Sequence, residues 1–280
     1  MNGFMFSDSR MTEHSTEKQR QGIQSVEVGT RLLRVLASHG RSMMLKDLAK
    51  NAGMAPAKAH RYLTSFIRAG LVAQDAYTGQ YDLGSFALEL GLSSLARLDI
   101  VRAADPVLDR LCEQIDETVG LAVWGSHGAT VVRMMEPTTT ITVTLRAGAV
   151  LPLTKSATGR AFAAFSQIPA VRKALELEIK QLASERNSSI ATIREEIDPV
   201  LSEIRGQGLS RASGSFTPGI NGFSAPVFDF SGQMVASITA LGAVGHFDAS
   251  WHSPIAKELR AAAADLSKTL GHPESASTER

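Results

Sequence analysis

Basic and hydroxyl-bearing side chains follow Pro56 at a spacing that could contact DNA. In a helix over 56–68, the apolar Ala59, Leu63 and Phe66 share one stripe. The opposite side presents Ala57, Lys58, His60, Arg61, Thr64 and Ser65. Lysine and arginine can neutralise phosphates or donate to base edges in the major groove. The pattern predicts a DNA-binding helix surface, and a solvated basic face without that role is the alternative.

A second segment, Pro152–Ala161 (PLTKSATGRA), could bind an anion. Its residues are small and hydroxyl-rich, and they lead directly into a helical stretch. The first N–H groups of a helix have no partner within it and lie at the positive end of its dipole. Ser156, Ala157, Thr158 and Gly159 are therefore predicted to cradle a carboxylate. Ordinary capping by Ser156 or Thr158, with no ligand, is the alternative.

Other chemistries are poorly supported by the sequence. His246, Asp248 and His252 do not have a usual metal-ligand spacing, and a surface loop explains them better. Lys155 lacks the glycine-rich run that a phosphate-binding loop needs before its lysine. No nucleophile stands at a recognisable spacing from a base. We therefore predict no catalytic residue, no metal and no cofactor.

Short helical patterns are predicted to position the basic surface. Residues 45–53 read LKDLAKNAG, with leucine and alanine on one stripe and Gly53 at the end. Pro56 suits the first turn of the next helix, where its missing N–H costs nothing. Two such helices joined by a tight turn predict a helix-turn-helix. The hairpin signal around Tyr77, Thr78 and Gly79 predicts a wing.

Longer patterns follow, and they alternate between helix and strand. Residues 84–98 place Phe86, Leu90, Leu92 and Leu95 along one helix, which needs either a partner copy or its own domain to cover it. Strand-like runs cover 118–125, 129–136, 141–145, 220–229 and 233–242. Helical patterns cover 101–117, 158–175, 192–206 and 248–270. This order predicts an α+β fold with one antiparallel sheet.

Composition and charge agree with two domains of different purpose. The 280 residues, 44% of them hydrophobic, can build more than one core. Residues 31–70 hold eight basic residues and one acidic residue, a net charge of +7, whereas the whole chain carries only +1. No apolar run is long enough to cross a membrane. One cysteine, Cys112, excludes an internal disulfide, so a cytoplasmic location is expected, and Cys112 is predicted to be a core residue.

The order of these blocks resembles the IclR family of bacterial regulators. The resemblance rests on SVEVGTRLLRVLASHG, LKDLAKNAGMAPAKAHRYLTSFIRAGLV, TGQYDLG, LPLTKSATGRAFAAF and GINGFSAPVFDFSGQMVASITALG, and it extends over about residues 25–270. It implies a winged helix-turn-helix, a linker helix and a C-terminal GAF-like α/β effector-binding domain. The expected boundaries are a disordered tail over 1–23, the DNA-binding domain over 24–84, the linker over 85–99, the effector domain over 100–271 and a flexible tail over 272–280.

The resemblance also implies partners and site residues. The partners are a double-stranded DNA operator, a small organic acid effector and further copies of the chain, as a homodimer or a dimer of dimers. DNA contacts are expected from Lys46, Ala57, Lys58, His60, Arg61, Thr64, Ser65, Tyr77 and Thr78. Effector contacts are expected from Trp124, Met134, Ser156, Ala157, Thr158, Gly159, Phe216, Ile220, Gly222, Thr239 and Leu241.

The pocket residues favour one ligand class. Gly222 and Leu241 stand where polar residues often occur in the family, which implies a roomier, less polar pocket. We therefore expect a transcriptional regulator of catabolic genes that senses a carboxylate, with an aromatic acid favoured. The alternatives are an enzyme built on the GAF-like domain and a DNA-binding protein that needs no ligand.

Overall fold

The computed structural model describes residues 23–95, 99–137 and 146–273. The chain forms two compact units that divide between residues 96 and 97. Three sequence predictions lie outside the described residues, wholly or nearly so: the N-terminal tail up to residue 22, the strand over 141–145 and the C-terminal tail from residue 274.

The first unit contains a helix-turn-helix followed by a short hairpin and a further helix. Its elements are α1 (Gln24–His39), α2 (Leu45–Asn51), α3 (Pro56–Arg68), β1 (Val72–Gln74), β2 (Tyr81–Leu83) and α4 (Ser85–Leu95). Leu32, Leu36, Leu48 and Leu63 are buried together and hold the first three helices against one another. Gly53, with a φ of +64°, makes the tight turn between α2 and α3 that the sequence predicted.

The hairpin is tied to the chain that precedes α2. β1 and β2 pair antiparallel, with Val72 opposite Leu83. Met43 and Tyr81 exchange two backbone hydrogen bonds, of 2.9 and 2.8 Å. Both residues are nearly fully buried in the core of this unit. Met43 therefore pairs with β2 as a one-residue third strand, and this bridge ties the wing to the start of α2.

The second unit is an α+β domain, as the sequence predicted. Its elements are α5 (Ile100–Ile115), β3 (Thr118–Gly125), β4 (Gly128–Met135), β5 (Val150–Leu151), α6 (Ala157–Phe165), α7 (Pro169–Glu185), α8 (Ile190–Gln207), β6 (Ser210–Ser213), β7 (Ile220–Phe228), β8 (Met234–Ala243) and α9 (Pro254–Thr269).

The strands form a six-stranded antiparallel sheet in the order β5-β4-β3-β8-β7-β6. Side chains alternate between its two faces. Val119, Leu121, Phe223 and Ile238 point to the face covered by α5 and α9 and form the main core. The other face carries smaller residues and packs against α6. On the outer side of α6, α7 and α8 form a helical hairpin.

The helical region after Ser156 differs from its sequence prediction. A single helix over 158–175 was expected, but α6 ends at Phe165 and α7 begins at Pro169 and continues to Glu185. Proline favours the first position of a helix and disfavours the interior, so residue 169 starts a new helix. The short strands β5 and β6 were not predicted, because two and four residues give little alternation to read.

No helix in the described parts of the chain is both long and apolar enough to span a membrane. Among the same residues, no three or more histidine, cysteine or acidic side chains are grouped so that they could hold a metal ion. Cys112 is buried in the main core, where its thiol donates to the Glu117 carbonyl at 3.4 Å.

The close approach of Gly84 to the backbone of Gly70 gives a test of the first unit. A Cβ at residue 84 would lie well inside van der Waals contact with the Gly70 carbonyl oxygen. Backbone cannot move aside cheaply, so Gly84→Ala should lower the free energy of unfolding by about 1–3 kcal/mol.

Gly91→Ala is the matched control, because Gly91 lies within α4 and a Cβ there meets nothing within 4 Å. It should be neutral or stabilise by about 0.5–1 kcal/mol. Urea unfolding followed by circular dichroism measures both, and equal stabilities for the two variants would contradict the packing described for Gly84.

Candidate functional sites

The outer surface of α3 is basic and its cations have no acidic partners. Lys58, His60 and Arg61 are exposed, as is Lys46 on α2. None of these four side chains makes a hydrogen bond or ion pair within the described residues. The surface therefore presents several uncompensated positive charges on the second helix of a helix-turn-helix.

The hydroxyl groups on α3 are engaged with their own helix. Thr64 donates to the His60 carbonyl at 2.9 Å, and Ser65 donates to the Arg61 carbonyl at 3.3 Å. Their oxygens keep lone pairs but have no free proton to donate. At the other end of α3, Ala55 precedes Pro56 and supplies no side-chain cap, so the first turn of the helix is open to an external acceptor.

The tip of the wing is built around Asp75, a residue that the sequence analysis did not single out. Its carboxylate accepts from the Tyr77 N–H at 2.9 Å, the Thr78 N–H at 2.7 Å and the Thr78 hydroxyl at 3.0 Å. These bonds lower the pKa of Asp75, with the Thr78 backbone N–H contributing most. Gly79 completes the turn with a φ of +70°. The Tyr77 side chain is 99% exposed at this tip.

The second predicted site begins with a capped helix. The Ser156 hydroxyl accepts from the Gly159 N–H at 2.9 Å and donates to the Pro152 carbonyl at 2.8 Å. A Cβ on Gly159 would lie well inside contact with the same Pro152 carbonyl oxygen, so the loop and helix can meet only because residue 159 is glycine. The capping that the sequence left as an alternative is present. This cap uses the Gly159 N–H group, and the N–H groups of Ala157 and Thr158 remain in the first turn.

A buried chain of hydroxyl groups joins α6 to the sheet. The Thr158 hydroxyl lies 2.8 Å from that of Thr239 on β8. Thr239 donates to the Ser224 hydroxyl on β7 at 2.9 Å. All three side chains are at most 4% exposed. The predicted residues Thr158 and Thr239 are therefore in direct contact although 81 positions separate them.

Two glycines leave gaps in the same sheet face, and two flexible side chains fill them. A Cβ on Gly222 would lie 2.6 Å from the Leu241 Cδ2 atom and 3.9 Å from the Ala157 Cβ atom. A Cβ on Gly120 would lie 2.7 Å from the Met134 Sδ atom. Ala157, Gly222 and Leu241 thus meet beside the start of α6, and Met134 covers the neighbouring position on β3.

The loop that precedes α6 is fixed by two charged side chains. The Glu178 carboxylate on α7 accepts from the backbone N–H groups of Leu153 and Thr154, at 2.8 and 3.0 Å. Arg160 donates to the carbonyls of Thr154 at 2.8 Å and Arg211 at 3.1 Å, and its partial burial lowers its pKa. Glu178 could not be identified from the sequence, because it acts 24 or 25 residues from its partners.

Three predicted effector residues lie apart from this cluster. Trp124 is near the opposite end of β3, where its ring packs against the Phe162 ring in a tilted arrangement, at a centroid distance of 5.8 Å. Phe216 is 45% exposed in the loop between β6 and β7, next to Ser215, which donates to the Lys155 carbonyl at 2.9 Å. Ile220 starts β7 and is half-buried. The predicted effector residues therefore form two groups. Most lie beside the start of α6, and Trp124, Phe216 and Ile220 lie farther from it.

Comparisons with known proteins agree with both units. The family model described as "Bacterial transcriptional regulator IclR C-terminal" matches residues 92–268. A second, described as "IclR helix-turn-helix domain", matches residues 25–76. The chain is 28% identical over 236 residues to the HTH-type transcriptional regulator KipR of Bacillus subtilis (strain 168), covering 84% of this chain and 92% of that protein.

Solved structures show the same architecture. HmgR of Pseudomonas aeruginosa is similar with a TM-score of 0.78 and 37% identity, over 90% of this chain and all of that one. An IclR homolog from Microbacterium hydrocarbonoxydans, solved in complex with 4-hydroxybenzoate, has a TM-score of 0.50 and 19% identity over 88% of this chain and 98% of that one. The second likeness concerns the fold alone.

The Asp75 turn gives a test by pH. Its lowered pKa means that the carboxylate stabilises the wing above the ordinary aspartate pKa, and that this contribution is lost as pH falls through the folded value. The Thr78 amide resonance should therefore titrate with a midpoint below that of an ordinary aspartate.

Asp75→Ala should abolish this titration and speed hydrogen exchange at the Thr78 amide near neutral pH. Tyr77→Ala serves as the control, because the Tyr77 side chain is almost fully exposed and should leave both properties unchanged. Both are measured by nuclear magnetic resonance, and a midpoint at or above the ordinary aspartate value would count against the hydrogen bonds described.

Proposed function

This chain belongs to the IclR family of bacterial transcriptional regulators, and from that premise we propose that α3 reads an operator while the site beside α6 binds a small organic acid. Members of the family are DNA-binding regulators rather than enzymes, so the alternative of an enzyme is set aside. Four parts of this function are proposals: the recognition residues, the effector class, the control of catabolic genes and the oligomeric state.

The uncompensated cations of α3 are the observation that supports the DNA proposal. A recognition helix enters the major groove with its N-terminal half, which here carries Ala57, Lys58, His60 and Arg61. Arg61 can donate two bonds to a guanine, and Lys58 and Lys46 can neutralise phosphates. Tyr77 and Thr78 at the wing tip would contact the adjacent backbone.

An apolar surface on α4 supports a dimer. Phe86, Leu88, Leu90 and Leu92 are between 41% and 65% exposed within the first unit. A run of exposed large apolar side chains on one short helix is costly in water and suits an interface. Phe86 and Leu90 lie on one side of α4, and Leu88 and Leu92 lie on the other. A second copy of the chain, related by a two-fold axis, would cover one of these sides and present two recognition helices to a near-palindromic operator.

Substitutions on α3 test the DNA proposal. Arg61→Ala should weaken operator binding about 5- to 150-fold and relax the base preference at one position, since a bidentate base contact contributes about 1–3 kcal/mol of discrimination. Lys58→Ala should weaken binding to all sequences and reduce the salt dependence by about one charge. Fluorescence anisotropy at several salt concentrations measures both effects, and the plateau should indicate two chains per operator.

Lys257→Ala removes the same charge from an exposed position of α9 in the second unit and should leave operator affinity unchanged. If Lys58→Ala and Arg61→Ala also leave affinity and salt dependence unchanged, α3 is not the recognition surface.

The uncapped N–H groups in the first turn of α6 support the effector proposal. The N–H groups of Ala157 and Thr158 and the helix dipole favour a carboxylate there. Met134 and Leu241 provide apolar, flexible cover beside it. An aromatic acid suits this combination of a small anion site and apolar neighbours. The relative solved with 4-hydroxybenzoate binds a ligand of that kind.

Gly222→Ala tests the position of the effector. Its new methyl group would push the Leu241 side chain toward the start of α6 without meeting backbone closer than 3.3 Å. A panel of aliphatic and aromatic carboxylates should include one that stabilises the wild-type chain, by about 2.7 kcal/mol when present at a hundred times its Kd.

Thermal unfolding should show that Gly222→Ala loses most of this stabilisation while Gly91→Ala keeps it. Gly159 is unsuitable for the same test, because any side chain there strikes the Pro152 carbonyl and would disturb folding. A stabilising acid whose effect survives Gly222→Ala would place the effector elsewhere.

A further inference from the structure

Thr118, the first residue of β3, carries a buried hydroxyl group that has no partner. Its side chain is 1% exposed, and its Oγ1 atom makes no hydrogen bond within the described residues. Thr158, Ser224 and Thr239 on the same side of the sheet are all hydrogen-bonded. An unpartnered buried hydroxyl costs folding free energy, so its presence calls for a physical reason.

The position of Thr118 relates it to the proposed effector site. Thr118 pairs with Leu241, and Leu241 pairs with Gly222, so the three residues form one row across β3, β8 and β7. They point to the same face, because directly paired residues share a face. Ala157 lies over the Gly222 end of the row. Thr118 is two strands away from that end, or about 10 Å.

The space between these two ends can open by side-chain rotation. Leu241 leans over Gly222, and Met134 leans over Gly120, the next residue of β3 on this face after Thr118. Both occupy the gaps with the ends of flexible side chains, and methionine in particular adapts its shape at little cost. Rotating them away would uncover Gly222 at the α6 end of the row and Gly120 beside Thr118 on β3.

We propose that the Thr118 hydroxyl is a second polar anchor of the effector site, and that the effector is an organic acid with a hydrogen-bonding group at the end opposite its carboxylate. This inference rests on the proposed function. The carboxylate binds the first turn of α6, the apolar body lies across Gly222 and Gly120, and the far group meets Thr118. A threonine hydroxyl both donates and accepts, so the far group is a hydroxyl or a carbonyl.

A second orphaned hydroxyl supplies the matched control. Ser237 on β8 is fully buried, and its Oγ atom also lacks a partner. It pairs with Ala122 and Pro226, four residues before Leu241 and away from the start of α6. Removing either hydroxyl should raise the melting temperature of the unliganded protein, because each removal relieves a buried unsatisfied group.

The experiment compares full-length wild type, Thr118→Val and Ser237→Ala by calorimetric titration with benzoate, 3-hydroxybenzoate and 4-hydroxybenzoate. Wild type should bind at least one hydroxylated acid tenfold or more tightly than benzoate. Thr118→Val should bind all three with the affinity that wild type has for benzoate. Ser237→Ala should keep the wild-type preference.

Each outcome of these titrations either supports or overturns the proposed role of Thr118. A wild-type protein that binds benzoate as tightly as both hydroxylated acids, or a Thr118→Val variant that keeps the preference, would overturn the role of Thr118. The proposed function would still stand in that case, if Gly222→Ala abolishes the binding. If none of the three acids binds, the inference fails, and the proposed preference for aromatic acids fails with it.

Discussion

The packing of α6 against the sheet depends on small side chains. Gly159 allows the helix to meet the Pro152 carbonyl, and Gly222 leaves room beside Ala157. Because the backbones approach closely, the Thr158 hydroxyl reaches Thr239. A side chain at residue 159 would strike the Pro152 carbonyl and displace the start of the helix. The open N–H groups of α6 and the apolar cover beside them both depend on this close contact.

The two units use different physical means to present their sites. The first unit has a small leucine core, and its proposed recognition surface depends on charges that have no partner among the described residues. The second unit forms its proposed effector site from buried hydroxyl groups and from glycines that leave space, so shape and hydrogen bonding would select the ligand there. Operator binding is therefore expected to respond strongly to salt, whereas effector binding is expected to respond mainly to the shape of the ligand.

Much of the fold could be predicted from the sequence, because local patterns determine it. The strand-like run over 118–125 predicted β3 with its observed bounds, and Gly53 and Pro56 predicted the turn between α2 and α3. The site was predicted less completely. Glu178, Arg160 and the proposed anchor Thr118 were missed, since their partners are distant in sequence or, for Thr118, absent from the described residues. Trp124 was expected in the effector site because it is large and apolar, but such a side chain serves the core equally well and packs on Phe162.

The hydroxyl chain from Thr158 to Ser224 has a direction. Thr239 has one proton and donates it to Ser224, so the proton in the 2.8 Å contact must come from Thr158. Thr158 has then used its only proton and faces any ligand as an acceptor. An ionised carboxylate gains nothing from that oxygen and must be held by backbone N–H groups alone. A neutral acid or an alcohol could instead donate to it, so the two protonation states of one effector would be bound by different atoms.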